Sequence, residues 1–297
     1  MRRGDVELSP AAFREAAMKG MLWLAHSTLQ AARFTSDEAQ CFLTISGNAA
    51  DEVLAENAAS IHRELLETYP LNVERLPDLP EPRFIIDYLS FCTQSERLGQ
   101  PHPHKSDVLD AVHRHGEEFF WNVTPGELSR ANCTTLINYY HFSRLQIPMT
   151  HSMQEVLAVC GPAALESARE LSEEEFEQQL YFVTHWIYAL SDYGAAPLAR
   201  DVHPQLYQYL YDVLPEALAY GNLETLGEVV EGLKIFGHTN SDPWLRPALT
   251  NLLKRQNPDG SWGSQRHATT IHSTWCAVTA LYEYRPHLDD ARWGPPR

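Results

Sequence analysis

Apolar residues recur at intervals of three and four along nearly the whole chain, which is the period of an α-helix. The first such segment opens with Ser9-Pro10, a cap followed by a proline, and continues through Phe13, Ala17 and Met21. No stretch alternates apolar and polar residues over a useful length, as a half-buried strand would. The sequence therefore predicts an all-α protein.

The pattern predicts about a dozen helices joined by short loops. Their predicted bounds are 9–29, 36–46, 50–69, 83–97, 105–121, 126–146, 152–160, 172–191, 203–220, 223–236, 243–256 and 269–284. The prolines of residues 70–82 predict a long connection instead of a helix. A closed α/α-barrel and an α-solenoid both fit this helix count, although a regular solenoid is disfavoured because no strict repeat is visible.

The most informative stretch is the predicted helical hairpin near the C-terminal end of the chain. Between its helices lies a tight turn, in which Pro258 fixes φ at the first corner and Gly260 permits a positive φ. Gln256 and Trp262 flank this turn and can tie it to the ends of both helices.

The spacing Gln256-x-x-x-Gly260-x-Trp262 resembles the Gln-Trp motif of terpenoid cyclases and protein prenyltransferases. In those families the motif joins an outer helix to an inner helix of an α/α-toroid, a barrel of inner and outer helices. The segment that follows is similar to the inner helix in which prenyltransferase β-subunits place a zinc-binding histidine, which maps to His272. The resemblance covers roughly the last fifty residues and implies an α/α-toroid fold.

The length of 297 residues suits a single large toroid domain over residues 1–297, of which residues 1–80 can form an N-terminal helical subdomain. The net charge of −16 would repel phosphate backbones, so nucleic acid is not an expected partner. No apolar run is long enough for a membrane span, and we expect a cytoplasmic protein that binds a small molecule. Its composition indicates no particular protein partner.

The chain contains 14 histidines, and neutral imidazole is the commonest metal ligand. In the toroid that the resemblance implies, the predicted helices 172–191, 223–236 and 269–284 would be inner helices lining a central pit. His185, His238 and His272 arise from these segments or directly after them. We therefore predict that these three histidines bind one iron, copper or zinc ion, which the sequence does not distinguish.

Carboxylates near these histidines are the predicted catalytic groups. Asp192 follows His185 by two helical turns, and Glu231 lies among apolar residues before His238. Additional candidate ligands are His141, Glu228 and Cys276, of which Cys276 shares a helix face with the residue four positions before it. Each histidine also has a structural interpretation, as a hydrogen-bonded core residue or a helix-terminal one.

These features favour a metal-dependent enzyme that acts on a small apolar or aromatic substrate in the pit, by oxygen chemistry or by Lewis-acid chemistry. One alternative is a metal-free terpenoid-type cyclase or isomerase, although the acidic motif of class II cyclases is absent. The other alternative is a non-catalytic helical interaction module. Signature motifs of serine hydrolases, dinucleotide-binding proteins and metalloproteases are absent.

Overall fold

The structure, a computed structural model, describes residues 8–31, 36–68, 82–99, 101–123, 125, 128, 130–161, 164–264 and 267–285. These residues form twelve α-helices and two short 3-10 turns, with no strand beyond one isolated bridge between Ala49 and Tyr284. The helices are α1 (Pro10–Gln30), α2 (Ser36–Asn48), α3 (Glu52–Thr68), α4 (Pro82–Arg97), α5 (Lys105–His115), α6 (Arg130–Arg144), α7 (Met153–Cys160), α8 (Glu173–Ser191), α9 (Pro204–Tyr220), α10 (Leu223–Ile235), α11 (Arg246–Lys254) and α12 (His267–Leu281). The all-α prediction is confirmed.

Most predicted helix bounds agree with the structure to within a few residues. The exception is the predicted helix 105–121, which ends at His115 because Gly116 takes a φ of 74°. Residues 117–120 then form a separate 3-10 turn. The proline-rich connection that we predicted over residues 70–82 lies almost wholly outside the described residues.

Local side-chain chemistry explains why several helices begin where they do. The Ser9 hydroxyl accepts the backbone N–H of Ala12 at 3.2 Å, and the Ser152 hydroxyl accepts that of Glu155 while the Glu155 carboxylate accepts the N–H of Ser152. The second pair is a capping box, which satisfies two N–H groups that lack partners within the helix.

The chain divides into two compact units, each of which is described separately. The first unit comprises the described residues of 1–34, 41–62 and 190–292, and the second those of 35–40 and 63–189. The organisation of the whole chain as one domain stays a prediction.

In the first unit, α10 lies at the centre and packs against α9, α11 and α12, while α1 packs against the other side of α12. The approach of α10 to α12 is close because Gly227 has no side chain. A Cβ atom at Gly227 would lie 2.6 Å from the backbone oxygen of Cys276, nearer than two such atoms can stand.

The turn between α11 and α12 forms at the predicted residues. The Gly260 N–H donates to the Asn257 carbonyl at 2.9 Å, and Gly260 takes a φ of 99°. The Gln256 amide donates both to the Gly260 carbonyl and to the Ala16 carbonyl of α1, at 3.0 and 2.9 Å. The fully buried Trp262 ring donates from Nε1 to the Leu252 carbonyl at 2.7 Å. The motif therefore joins α1, α11 and α12.

In the second unit, α4 packs against α5 and α6, and α6 packs against α7. The Asp87 carboxylate caps the start of α2, because it accepts both the backbone N–H and the hydroxyl of Ser36. Among the helices that the structure describes, none combines the length and the apolar character that crossing a membrane requires.

Candidate metal centre

Glu228, His272 and Cys276 come together where α10 packs against α12 in the first unit. One potential ligand atom from each residue lies within 4.8 Å of those of the other two, and the described residues contain no other such cluster. His272 and Cys276 share a face because they lie four residues apart on one helix. The close approach at Gly227 brings the neighbouring Glu228 of α10 to that face.

One side of the cluster is buried and the other side is open to solvent. His272 Nε2 lies 3.5 Å from a carboxylate oxygen of Glu228, whose side chain is 5% exposed. The same nitrogen lies 3.2 Å from a carboxylate oxygen of Glu224, whose side chain is 33% exposed, and the His272 side chain itself is 31% exposed. Solvent therefore reaches His272 and Glu224, while Cys276 and Glu228 form the floor.

Burial and charge act in opposite directions on this cluster. Burial raises the pKa of the Cys276 thiol to about 12, although the neighbouring His272 opposes this effect. Burial by itself lowers the pKa of His272, but Cys276, Glu224 and Glu228 raise it, and the net result is a pKa well above the ordinary value. The carboxylates favour the charged form of His272 and burial favours the neutral thiol of Cys276, so the cluster offers no preformed thiolate nucleophile.

The donor set of one thiol, one imidazole and one carboxylate consists of the three ligand types that zinc takes in proteins. Zinc takes these three ligand types at about 2.0 to 2.3 Å in tetrahedral geometry, which implies separations of roughly 3.3 to 3.8 Å between ligand atoms. The separations here, up to 4.8 Å, would shorten by up to about 1.5 Å around such an ion. Three protein ligands also leave one position open, as in catalytic zinc sites.

His238, a predicted ligand, lies elsewhere in the first unit. Its Nδ1 lies 2.5 Å from a carboxylate oxygen of Asp242, and its Nε2 lies 3.3 Å from the Tyr207 hydroxyl. Both ring nitrogens are therefore engaged by protein groups. We assign His238 to this hydrogen-bonded chain and not to the Glu228–His272–Cys276 cluster.

Two other candidate histidines, His185 and His141, belong to the second unit. His185 Nδ1 lies 2.8 Å from the Tyr181 carbonyl, and its ring contacts the Tyr181 ring in a tilted arrangement, at 3.8 Å between centroids. His141 is buried in α6, where its Nδ1 lies 3.0 Å from the Thr93 hydroxyl. Both histidines are hydrogen-bonded to protein groups, His141 in the core and His185 at a half-buried position, and a common ion for His185, His238 and His272 stays a prediction.

The two predicted catalytic carboxylates lie outside the cluster. Glu231 is buried on α10, and its oxygens accept hydrogen bonds from the Thr279 and Tyr284 hydroxyls at 2.7 and 3.0 Å. Asp192 lies in the turn after α8 with a φ of 52°, a left-handed conformation that aspartate tolerates better than most residues. Their catalytic roles stay predictions.

Sequence reasoning missed three charged residues. Glu224 contacts His272, and its position four residues before Glu228 on α10 was a usable signal. Asp242 follows His238 by four residues, but it lies after a helix end, where helical spacing does not apply. Lys234 was missed because buried lysines are rare: it lies 3% exposed and donates to the Tyr282 carbonyl at 2.7 Å.

Comparisons with known proteins place the chain in no family. No protein-family model, curated protein or solved structure matches it.

Proposed function

We propose that this protein is a zinc-dependent enzyme whose Glu228, His272 and Cys276 hold the ion, and that its helices form an α/α-toroid. The observation that supports the proposal is the convergence of three different ligand types at one half-open cluster. The sequence named His272 as a ligand and Glu228 and Cys276 as additional candidates, and these three side chains lie together.

The ion would supply Lewis-acid chemistry, which polarises a carbonyl or lowers the pKa of a bound water. Glu224 lies on the open side of the cluster, 3.2 Å from His272 Nε2, where its carboxylate can take up or deliver a proton. The open side therefore has a carboxylate beside the position that the protein ligands leave free.

A small aromatic or apolar substrate is supported by Trp275, whose ring meets that of His272 edge to face at 5.4 Å between centroids. The indole Nε1 of Trp275 is buried and has no hydrogen-bond partner among the described residues. A substrate oxygen that accepts this N–H would satisfy it, and the ring would pack against an apolar body.

The toroid is supported by contacts of the first unit. The first and last described helices, α1 and α12, pack against each other, as ring closure requires. The Gln256 amide ties the turn before α12 to α1, and Gly20 of α1 leaves the space that the Trp262 ring fills, since a Cβ at Gly20 would lie 2.6 Å from it.

Metal analysis of protein purified without a histidine tag tests the function. We expect stoichiometric zinc in the wild type, and a thiolate charge-transfer band in the near ultraviolet when cobalt replaces it. His272→Ala and Cys276→Ser should lose most of the metal, because removing a ligand from a three-residue site leaves too few donors.

Cys160→Ser is the matched control. Cys160 is also a buried thiol, with a pKa raised by burial to about 12, but it lies in α7 of the second unit and outside the cluster. Wild-type protein that binds no zinc, or equal metal loss in the Cys160 and Cys276 variants, would refute the site and favour the metal-free cyclase or the interaction module.

A further inference from the structure

A second arrangement of chemically active groups lies in the first unit, at the loop between α10 and α11. It consists of Tyr207, His238 and Asp242, with Arg200 beside them. It shares no residue with the Glu228–His272–Cys276 cluster, and the proposed zinc enzyme does not use it.

The end of α10 fixes the position of His238. Gly237 takes a φ of 87°, its N–H donates to the Lys234 carbonyl at 2.8 Å, and the His238 N–H donates to the Leu233 carbonyl at 3.1 Å. This is a Schellman motif, which ends a helix at a residue in the left-handed region. The His238 backbone is thereby held, and its side chain is only 4% exposed.

Asp242 fixes the tautomer of His238. The Asp242 carboxylate accepts the Trp244 backbone N–H at 2.8 Å with one oxygen and the His238 Nδ1–H at 2.5 Å with the other. Burial raises the pKa of Asp242, but these two hydrogen bonds and the charges of His238 and Arg200 lower it, and the net shift is downward. With its proton on Nδ1, His238 presents the lone pair of Nε2 to the Tyr207 hydroxyl at 3.3 Å.

Tyr207 and Asp242 are both partly exposed to solvent, while His238 between them is buried. The Tyr207 side chain is half-buried near the start of α9, and its ring lies nearly parallel to that of His238, at an interplanar angle of 18°. The Arg200 guanidinium lies 4.6 Å from the centre of the Tyr207 ring, where its positive charge stabilises negative charge developing on the phenol. Arg200 is held there because its Nε donates to the Phe236 carbonyl at 3.0 Å.

An aromatic surface continues from this hydroxyl. Tyr211 lies one helical turn after Tyr207, and its ring stacks on that of Trp244 at 4.8 Å and an angle of 15°. Trp244 is 37% exposed, so part of the stack faces solvent. A flat aryl group can pack against such a surface beside the hydroxyl.

We propose that Tyr207, His238 and Asp242 form a nucleophilic triad that takes acyl groups from aryl esters. Tyr207 Oη attacks the ester carbonyl carbon while its proton passes to His238 Nε2, and Asp242 stabilises the imidazolium. The bond from the carbonyl carbon to the aryl oxygen breaks, and the leaving phenol takes the proton from His238. Water then attacks the carbonyl carbon of the acyl-tyrosine while its proton passes to His238 Nε2. The bond from the carbonyl carbon to Tyr207 Oη breaks, Tyr207 Oη takes the proton from His238, and the carboxylic acid leaves.

The class of acyl donor follows from the nucleophile. An acylated tyrosine is itself an aryl ester, so transfer from an ordinary alkyl ester would be uphill. A donor must have a leaving group at least as good as a phenol, and an aryl ester also matches the stack of Tyr211 and Trp244.

The test uses p-nitrophenyl acetate and the full chain. We expect a burst of p-nitrophenol close to one equivalent per chain, and acetyl on the peptide that carries Tyr207 by mass spectrometry. Tyr207→Phe, which keeps the ring and its stacking, should abolish the burst and that acetylation. His238→Gln should slow the burst by about a hundredfold or more, because it removes the general base.

Tyr220→Phe is the matched control, since it removes an exposed phenol at the other end of α9 that neither the triad nor the aromatic surface uses, and it should react as the wild type does. Circular dichroism and thermal melting establish that each variant is folded. The proposal is overturned if the burst survives in folded Tyr207→Phe, if acetyl is absent from the Tyr207 peptide, or if His238→Gln reacts as fast as the wild type.

Discussion

The interface between α10 and α12 contains two buried carboxylates less than one helical turn apart, with different partners. Glu228 faces His272 and Cys276, which can bind a metal or exchange protons. Glu231 faces the Thr279 and Tyr284 hydroxyls, which donate hydrogen bonds and do not titrate near neutrality. The partners, and not burial, distinguish a candidate reactive group from a structural one.

The basic groups in the two parts of this interface also have pKa values that are shifted in opposite directions. Near Glu231, the buried Lys234 has its pKa lowered from 10.5 to about 7 by burial, against the opposing charges of Glu283 and Glu231. Near Glu228, His272 has its pKa raised by the surrounding carboxylates and Cys276 despite burial. The two groups therefore make opposite contributions to the pH dependence of stability.

Lys234 should make the largest contribution to the change of the free energy of unfolding with pH. Because its pKa is lower in the folded chain, the unfolded chain binds more protons above pH 7, and the free energy of unfolding should rise with pH. Lys234 should contribute a slope on the order of 1.4 kcal/mol per pH unit to the free energy of unfolding between about pH 7 and 9.5. Urea unfolding at several pH values measures it.

Lys234→Met is the comparison variant, since it removes the titrating amine and keeps an unbranched chain of similar length. Its stability should lack the rise that the wild type shows. The measurement stops below about pH 10, where tyrosines of the unfolded chain titrate. Above that pH the free energy of unfolding should fall, because burial raises the pKa of Tyr282 and Tyr284 in the folded chain. Parallel curves for the two proteins would show that Lys234 is not responsible.

Replacing Glu228 or Glu231 by leucine should give the next largest change in the free energy of unfolding. Glu231→Leu removes the acceptor of the Tyr284 hydroxyl, and a buried donor left unpaired costs about 1–3 kcal/mol. The Thr279 hydroxyl keeps the Trp275 and Cys276 carbonyls as acceptors, at 3.3 and 3.2 Å. In metal-free protein Glu228→Leu should cost less, because its partner His272 is half-exposed and can lose its proton. Only Glu228→Leu should lower the zinc content.

Urea unfolding and metal analysis of the Glu228→Leu and Glu231→Leu proteins test which carboxylate binds the metal and which is structural. Zinc loss in Glu231→Leu at unchanged stability would show that Glu231 also belongs to the metal site. A larger stability loss in Glu228→Leu than in Glu231→Leu would reverse the roles that the geometry gives them.

The sequence predicted the helices and the turn because their determinants are local: apolar spacing, Ser9 at a helix start, and Gly260 at a positive φ. It predicted part of the cluster because His272 and Cys276 lie on one helix. The partners of buried charges were harder to predict, because whether Thr279 or His272 meets a carboxylate depends on the register between two helices. The close approach at Gly227 depends on that register, and a glycine within a helical pattern does not reveal which residue of another helix it meets.

His272 should give the smallest effect, because its side chain is 31% exposed and solvent screens its charge interactions. In metal-free protein its raised pKa contributes stability that is complete below about pH 6.5 and is lost as the pH rises through the folded pKa. The advantage of the wild type over His272→Asn should therefore shrink as the pH rises. With zinc in excess the sign should reverse, because the ion binds only the deprotonated imidazole and thiol. Urea unfolding of both proteins, with chelator and with zinc, measures the two trends, and the same trend under both conditions would show that His272 does not bind the ion.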